Sequence, residues 1–445
     1  MNRRHFLKNL TLAAAGASVL DSRSFARVSG ANARLRVGVV GFSDRARSTL
    51  IPAFQKHASA MNAEIVAVSD LWNLRREEAI AFFRKQFNQE VTVYRNNEEM
   101  YEHASLDAVI VATADFQHAF HCAEAVRAGC DAYVEKPFAE TMADARDALK
   151  AARETKRIVQ IGSQRRSGAN YQAAYDYLRS GKFGPIVAVE MTWNVNSPAR
   201  WRRPELVAKV TQADVDWKRF LGNRPEVPWD PRKYVEFRLF WPYSSGIPGQ
   251  WMCHQIDTVH WFTGLPHPRS VSANGGIYQW KDGRSNFDTL TAVFDYGPLD
   301  DLTKGFQVIY SSRFSNGAGG VKEIYYSNGG ELNLDTNKVT SNGGLQKKYA
   351  EAMGLPTNLL EPVDLGHDGA IETAADTGLD NTASAHVRNW MECVRERRRP
   401  RAPVEAGYQH SIATIMANAA ARTGQRVTFD EATQEVMAGG RVFDL

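Results

Sequence analysis

Cysteine is scarce: only Cys122, Cys130, Cys253 and Cys393 occur in 445 residues. That is too few for a disulfide scaffold at this length. With no Cys-x-x-Cys pair, neither a zinc nor an iron–sulfur site is expected. Cys122 and Cys130 flank one predicted helix. Long apolar runs are missing as well. No stretch of about 18 apolar residues appears, so the sequence predicts no membrane span. No internal repeat is visible. An excess of one charge is also lacking: 54 basic residues stand against 50 acidic ones. Residues 1–26 hold four of the basic side chains (Arg3, Arg4, Lys8, Arg23) and one acidic one (Asp21), so the remainder is balanced at 50 against 49. Nothing in that balance implies a nucleic-acid partner.

What is present begins at the N-terminus. Arg3 and Arg4 precede Phe6-Leu7-Lys8, an apolar stretch runs from Leu10 to Leu20, and Ser24-Phe25-Ala26 offers a small-residue exit. This pattern reads as a twin-arginine export signal, so residues 1–33 are assigned to signal peptide and linker and the mature chain to the periplasm. Ala31-Asn32-Ala33 is a second candidate cleavage site. A lipophilic anchor or an internal amphipathic helix is the alternative reading.

From residue 34 strands and helices alternate. Strands are expected at 34–40, 64–69, 91–94, 106–112, 131–134 and 157–162. Helices are expected from near Thr49, then at 75–87, 116–128 and 139–155. Such alternation means a parallel sheet with crossover helices. After residue 165 the pattern changes. A helix over 171–180 is followed by strands at 186–195, 269–280, 287–296, 305–312, 322–326 and 331–334, several joined by Gly or Asn turns, which suggests a mostly antiparallel sheet. Residues 196–250 are irregular and rich in Pro, Trp and Arg, as loops around active sites often are. Helices over 382–397 and 407–423 close the chain. The expected class is α/β: a nucleotide-binding Rossmann domain over 34–162, and a substrate-binding α/β domain with a large, mostly antiparallel sheet over 163–445.

The turn after the first strand reads Gly41-Phe42-Ser43-Asp44-Arg45-Ala46. It departs from G-x-G-x-x-G at two positions. Ser43 is still small enough to let backbone approach a pyrophosphate, and Ala46 still permits close helix–strand packing. Asp70 ends the second strand, where a carboxylate accepts the ribose hydroxyls of adenosine and repels a 2′-phosphate. This favours NAD, while Arg45 and Arg75 keep NADP open. A turn residue or helix cap is the plainer reading of Asp70.

Further motifs follow: Ala112-Thr113-Ala114-Asp115-Phe116-Gln117-His118, then Glu135-Lys136-Pro137 at the end of the fifth strand, then Gly162-Ser163-Gln164-Arg165. With the Gly41 turn, these resemble the Gfo/Idh/MocA family of sugar and cyclitol oxidoreductases, over about Leu35 to Asp430, and its exported members in particular. The resemblance implies that Gly41, Ser43, Asp44, Arg45, Ala46, Asp70, Thr113, His118, Glu135, Lys136 and Gln164 hold the cofactor. It also implies that Lys136 contacts the substrate hydroxyl, and that Pro137 follows a cis bond. Downstream, Gln250, His254 and Asp257 stand where the family shows Asp, His and Asp. Here Gln250 replaces the first Asp, so the resemblance implies that His254 is the acid–base residue without that charged partner. Helical spacing puts 250, 254 and 257 on one face, with His260 close by. His254-x-x-Asp257-x-x-His260 also has metal-site spacing, although no metal is expected, and a packed histidine is the plainer reading of His260.

Arg165, Gln250, His254, Asp257 and Lys136 are therefore the expected substrate-binding residues, with Lys136 and His254 catalytic. Eight of ten tryptophans lie between Trp193 and Trp280, and flat rings suit the C–H faces of pyranoses. The expected activity is NAD-dependent oxidation or reduction of a secondary hydroxyl on a sugar or sugar derivative. The alternative is an NAD-dependent glycoside hydrolase or lyase working through a transient 3-keto sugar, although the Gly-Asn-Gln run usual in such hydrolases is absent. A non-catalytic binding protein is a third class. A homo-dimer or tetramer is expected.

Overall fold

The computed structural model describes residues 34–366 and 380–444; the assigned signal segment lies outside them. The first sheet consists of six parallel strands in the order β3-β2-β1-β4-β5-β6. They are β1 (Leu35–Val40), β2 (Ala63–Ser69), β3 (Thr92–Tyr94), β4 (Ala108–Val111), β5 (Asp131–Val134) and β6 (Val159–Ile161). β4 and β5 are buried at every position, as apolar strands covered by helices on both faces must be. The chain turns one way from β1 to β2 and the other way to β4. A crevice therefore opens at the carboxyl ends of β1 and β4, where sheets of this order bind ligands.

The second sheet has eleven strands in the order β14-β13-β12-β11-β7-β10-β9-β8-β15-β16-β17. Its centre is β7 (Ile186–Asn194), β8 (Ser270–Gly276), β9 (Thr289–Tyr296), β10 (Phe306–Arg313), β11 (Val321–Ser327) and β12 (Gly330–Asn333). β7 and β10 run parallel and the other pairs antiparallel. Side chains of β9 and β10 alternate between buried and not, so one face is covered and the other is open. The fold is thus α/β, as expected. The edge strands β13 (Lys338–Thr340), β14 (Val363–Asp364), β15 (Val427–Asp430), β16 (Glu435–Ala438) and β17 (Arg441–Val442) escape the sequence reading, because two to four residues are too short for a period of two to show.

Other departures have local causes. Helix starts at Asp44, not near Thr49, and passes through a π turn, Ala46–Leu50, before Ile51–Ala58. The unforeseen helix Asn97–His103 is capped by Asn96, whose Oδ1 accepts from Glu99 N at 2.9 Å. Cys122 lies inside the helix His118–Arg127, and all four cysteines are buried and outside any disulfide among the described residues. The irregular 196–250 span contains the short helices Pro204–Lys209, Trp217–Leu221 and Pro231–Val235.

The 163–445 segment does not pack as one block. The helix Asn381–Glu396 returns to the first sheet, where Val387, Trp390, Met391 and Val394 share one core with Val37, Phe54 and Tyr133. The helix Val404–Thr423 is buried along most of its length and lies between the domains. A Cβ at Gly407 would come within 2.7 Å of Phe138 and 2.9 Å of Ile161, so glycine lets this helix seat directly on the β5–β6 edge.

Candidate active site

A cleft of about 1180 Å³ begins at the Gly41 turn and runs between the domains to His254 and Trp193. At its first end Gly41 has φ +86, and a Cβ there would lie 2.8 Å from Thr113 Cγ2 and 3.0 Å from the Ala112 carbonyl. Only glycine suits such a turn. Ser43 Oγ accepts from Ala46 N at 3.3 Å. Asp70 carries more than a ribose-binding reading implies: Oδ2 accepts from Phe42 N at 2.8 Å and Oδ1 from Trp72 N at 2.9 Å. Burial pushes its pKa up, against those two bonds. Asp70 therefore braces the Gly41 turn while still lining the cleft.

The two cations that kept NADP open are already matched by carboxylates. Arg45 Nε donates to Glu135 Oε1 at 2.9 Å, and Arg75 Nη1 donates to Glu78 Oε2 at 2.8 Å, with Asp44 at 3.4 Å from Arg75 Nη2. Asp44 is also paired with Arg47 at 3.0 Å. Both charges are thus matched, although Arg45 Nη2 is buried without a hydrogen bond among the described residues. Thr113 Oγ1 and Gln164 Oε1 are buried without a hydrogen-bond partner among the described residues, and both residues line the cleft. A glycine-only turn, a half-buried carboxylate and unpaired oxygens along one wall fit a dinucleotide.

Lys136 follows β5, at the carboxyl edge of the sheet, and the Lys136–Pro137 bond is cis, as the resemblance implied. Its Nζ donates to the Gln250 carbonyl at 2.7 Å. That carbonyl belongs to a second π turn, Pro248–Met252, which leads into the helix Cys253–Thr263 bearing His254. Both π turns among the described residues thus line the cleft, and such turns recur at functional sites. His118 supports Lys136 from below, with Nδ1 donating to the Pro137 carbonyl at 2.8 Å. Burial lowers the Lys136 pKa.

His254 is buried, with its ring 5.8 Å from that of Trp193 and inclined at 27°. Burial first, then the Lys136 and Arg165 charges, hold it well below the usual histidine range. The imidazole is therefore neutral at neutral pH and able to take a proton. Arg165 is held by Glu323 and lies 5.4 Å from both the Tyr171 and Trp193 rings.

One assignment changes. Asp257 does not face the cleft: Arg166 grips it through Nε at 2.8 Å and Nη2 at 2.9 Å, and His410 stands 3.7 Å away. Gln250 does not pair with His254. Gln250 nevertheless lines the cleft with His254, and its Nε2 donates to Asp115 Oδ2 at 2.5 Å. His260 Nε2 bonds the Tyr296 hydroxyl at 2.8 Å, so the His254, Asp257 and His260 triad does not converge on a metal. Asp115, fully buried at the domain junction, went unassigned in the sequence reading. Its only signal was its place between Thr113 and His118.

Residues 35–163 match the family model GFO_IDH_MocA, an oxidoreductase family with an NAD-binding Rossmann fold. A 1,5-anhydro-D-fructose reductase of Ensifer adhaerens is 30% identical over 198 residues, which cover 42% of this chain and 56% of that protein. An inositol 2-dehydrogenase of Acidiphilium cryptum is 27% identical over 190 residues, covering 42% and 54%. The chain thus spans about half the length of these relatives. Among solved structures, the WlbA dehydrogenase of Bordetella pertussis in complex with NADH and UDP-GlcNAcA has a TM-score of 0.62 at 18% identity, over 89% of this chain and 99% of that one. An aldose–aldose oxidoreductase of Caulobacter crescentus complexed with glycerol gives 0.59 at 18%, over 89% and 100%. The two-sheet architecture is therefore shared along nearly the whole length. From Leu35 to Ser163 the chain is an NAD-binding Rossmann domain similar to the GFO_IDH_MocA oxidoreductase family.

Proposed function

We propose that the protein is an NAD-dependent oxidoreductase acting on a secondary hydroxyl of a sugar or polyol. One observation carries this: Lys136 from the first domain and His254 from the second line the same cleft as the Gly41 turn. When bound, a nicotinamide supplies the hydride acceptor that these side chains lack. Lys136, held by the Gln250 carbonyl, donates a hydrogen bond to the substrate hydroxyl and orients it. His254, neutral, takes the hydroxyl proton. Trp193 and Trp201 line the same cleft. Arg165 brings a cation toward a sugar hydroxyl or carboxylate. The test is a panel of inositols, 1,5-anhydro-sugars, free aldoses and nucleotide-linked uronates, read as a change in the redox state of the bound nicotinamide. No change with any member would overturn the reading.

NAD is preferred to NADP because Arg45 and Arg75 are already paired and Asp70 adds negative charge. Asp70→Ala removes the acceptor of two backbone N–H groups as well as a ribose-facing carboxylate. Each such loss costs about 1–3 kcal/mol, so the NAD Kd should rise at least about tenfold and the preference over NADP should narrow. Titration of the stripped protein with each cofactor checks this, and a wild type that prefers NADP would contradict it.

A second reading is hydrolysis or elimination through a transient 3-keto sugar, with the cofactor restored each cycle. Ties across the cleft favour a cofactor that stays bound. Gln117 Nε2 donates to the Phe220 carbonyl at 2.7 Å, Arg224 pairs with Asp144 at 3.0 Å, and Trp72 forms a bridge with Val215. Nicotinamide should therefore be released when the purified protein is denatured. An active enzyme that purifies empty would refute that. Free leaving group formed without net change in nicotinamide would select hydrolysis over net redox. Twin-arginine export to the periplasm rests on Arg3, Arg4 and the apolar stretch after them. Cell fractionation of an Arg3→Lys/Arg4→Lys variant tests it. A homo-dimer or tetramer is supported by Val187, Val293 and Ile309 on the open sheet face, and sedimentation reads it.

A further inference from the structure

Asp115 begins the turn Asp115–Gln117 after β4 and has no exposed surface. It belongs to the first domain, yet both of its hydrogen bonds come from the second. Ser244 Oγ donates to Oδ2 at 2.6 Å, and Gln250 Nε2 donates to the same oxygen at 2.5 Å. The other oxygen, Oδ1, is buried and has no hydrogen bond among the described residues. Arg238 Nε stands 3.6 Å from it. A buried carboxylate with one oxygen unpaired is costly unless nearby positive charge offsets it.

Gln250 connects this carboxylate to the reacting groups. Its side chain reaches Asp115, its backbone carbonyl receives Lys136 Nζ, and its π turn leads into the helix that carries His254. We infer that Asp115 is a positioning residue for the Lys136–His254 pair, setting the π turn across the domain junction.

Of the other groups facing Lys136, Glu135 also raises its pKa, and more than Asp115 does, but its charge is shared with Arg45. Cys253 is pushed up to about 12 by burial and stays neutral. Arg238 and His254 carry no negative charge. Glu140, which also feels Asp115, is pushed up to about 8, by burial first, and is uncharged at neutral pH. The direction is consistent: burial lowers the Lys136 pKa, and Asp115 is among the groups that raise it.

The inference rests on the oxidoreductase reading for its kinetic readout alone, so a second readout is needed that turnover does not affect. In the full-length protein carrying its cofactor, the 13Cε resonance of Lys136 is followed against pH in lysine-labelled material and assigned with Lys136→Arg. Asp115→Asn keeps the shape and removes the charge. Its Lys136 midpoint should move down by about one pH unit, the scale of a lost neighbouring charge. The alkaline limb of kcat/KM should move with it, and kcat should fall about 10–100-fold with cofactor affinity unchanged. Gln250→Glu alone sets two carboxylates against each other and should also be impaired. The double variant Asp115→Asn/Gln250→Glu exchanges amide and carboxylate and should restore both the midpoint and most of kcat. A folded Asp115→Asn protein with an unmoved Lys136 midpoint, or a double variant no better than either single one, overturns the inference. If no sugar is turned over but the midpoint moves and the exchange restores it, the positioning role stands and the redox reading falls.

Discussion

Lys136→Met is expected to lower kcat by about 1000-fold, within the range for groups that both orient a substrate and share in proton transfer, while nicotinamide stays bound. The side chain cannot be replaced in kind. Its Nζ meets a single carbonyl at 2.7 Å in a crowded cleft, and the planar guanidinium of Lys136→Arg would not fit that point contact. The pH profile gives an independent check. A charged Lys136 holds the substrate hydroxyl more strongly than a neutral amine would, and burial lowers its pKa, so activity should fall on the alkaline side below the pH at which an ordinary lysine titrates. A Lys136→Met enzyme with near wild-type kcat would remove Lys136 from the chemistry.

His254→Ala should cut kcat by about 100-fold or more, again without loss of nicotinamide. His254 acts in its neutral form. Its pKa lies well below the usual range because burial and the nearby Lys136 and Arg165 charges all disfavour protonation. The wild-type rate should therefore hold as pH falls through about 6.5, where an ordinary histidine would gain its proton, and fail only at lower pH. If His254→Ala keeps its turnover, the proton leaves by another group, and Lys136 becomes the acid–base candidate.

Much of this site was legible because it is local. Gly41 through Ala46 and Glu135-Lys136-Pro137 are short runs whose neighbours in sequence are also neighbours in space. The six parallel strands announced themselves by apolar runs between helices. Contacts between distant residues were not legible. Asp115 and Gln250 meet across 135 positions, and no spacing rule reaches that far. Asp257 sits three residues after His254, and helical phase put it on the same face. Arg166, 91 positions away, claims both of its oxygens. The π turn at Pro248–Met252 was not legible either, although Gln250 and His254 still line the same cleft. The return of Asn381–Glu396 to the first core was hidden for a related reason. Its apolar stripe shows that one face is buried, but not against which domain.

The central claim is that hydride passes between a sugar carbon and a nicotinamide held in the cleft shared by Lys136 and His254. The direct measurement is a single turnover of the protein with a sugar from the panel deuterated at its carbinol carbons, followed by mass analysis of the released nicotinamide. One deuterium is expected on the reduced nicotinamide from wild type, with a rate of transfer at least about 100-fold lower from His254→Ala. Deuterium that never reaches nicotinamide from any sugar in the panel, or transfer at an equal rate from the His254 variant, would contradict it.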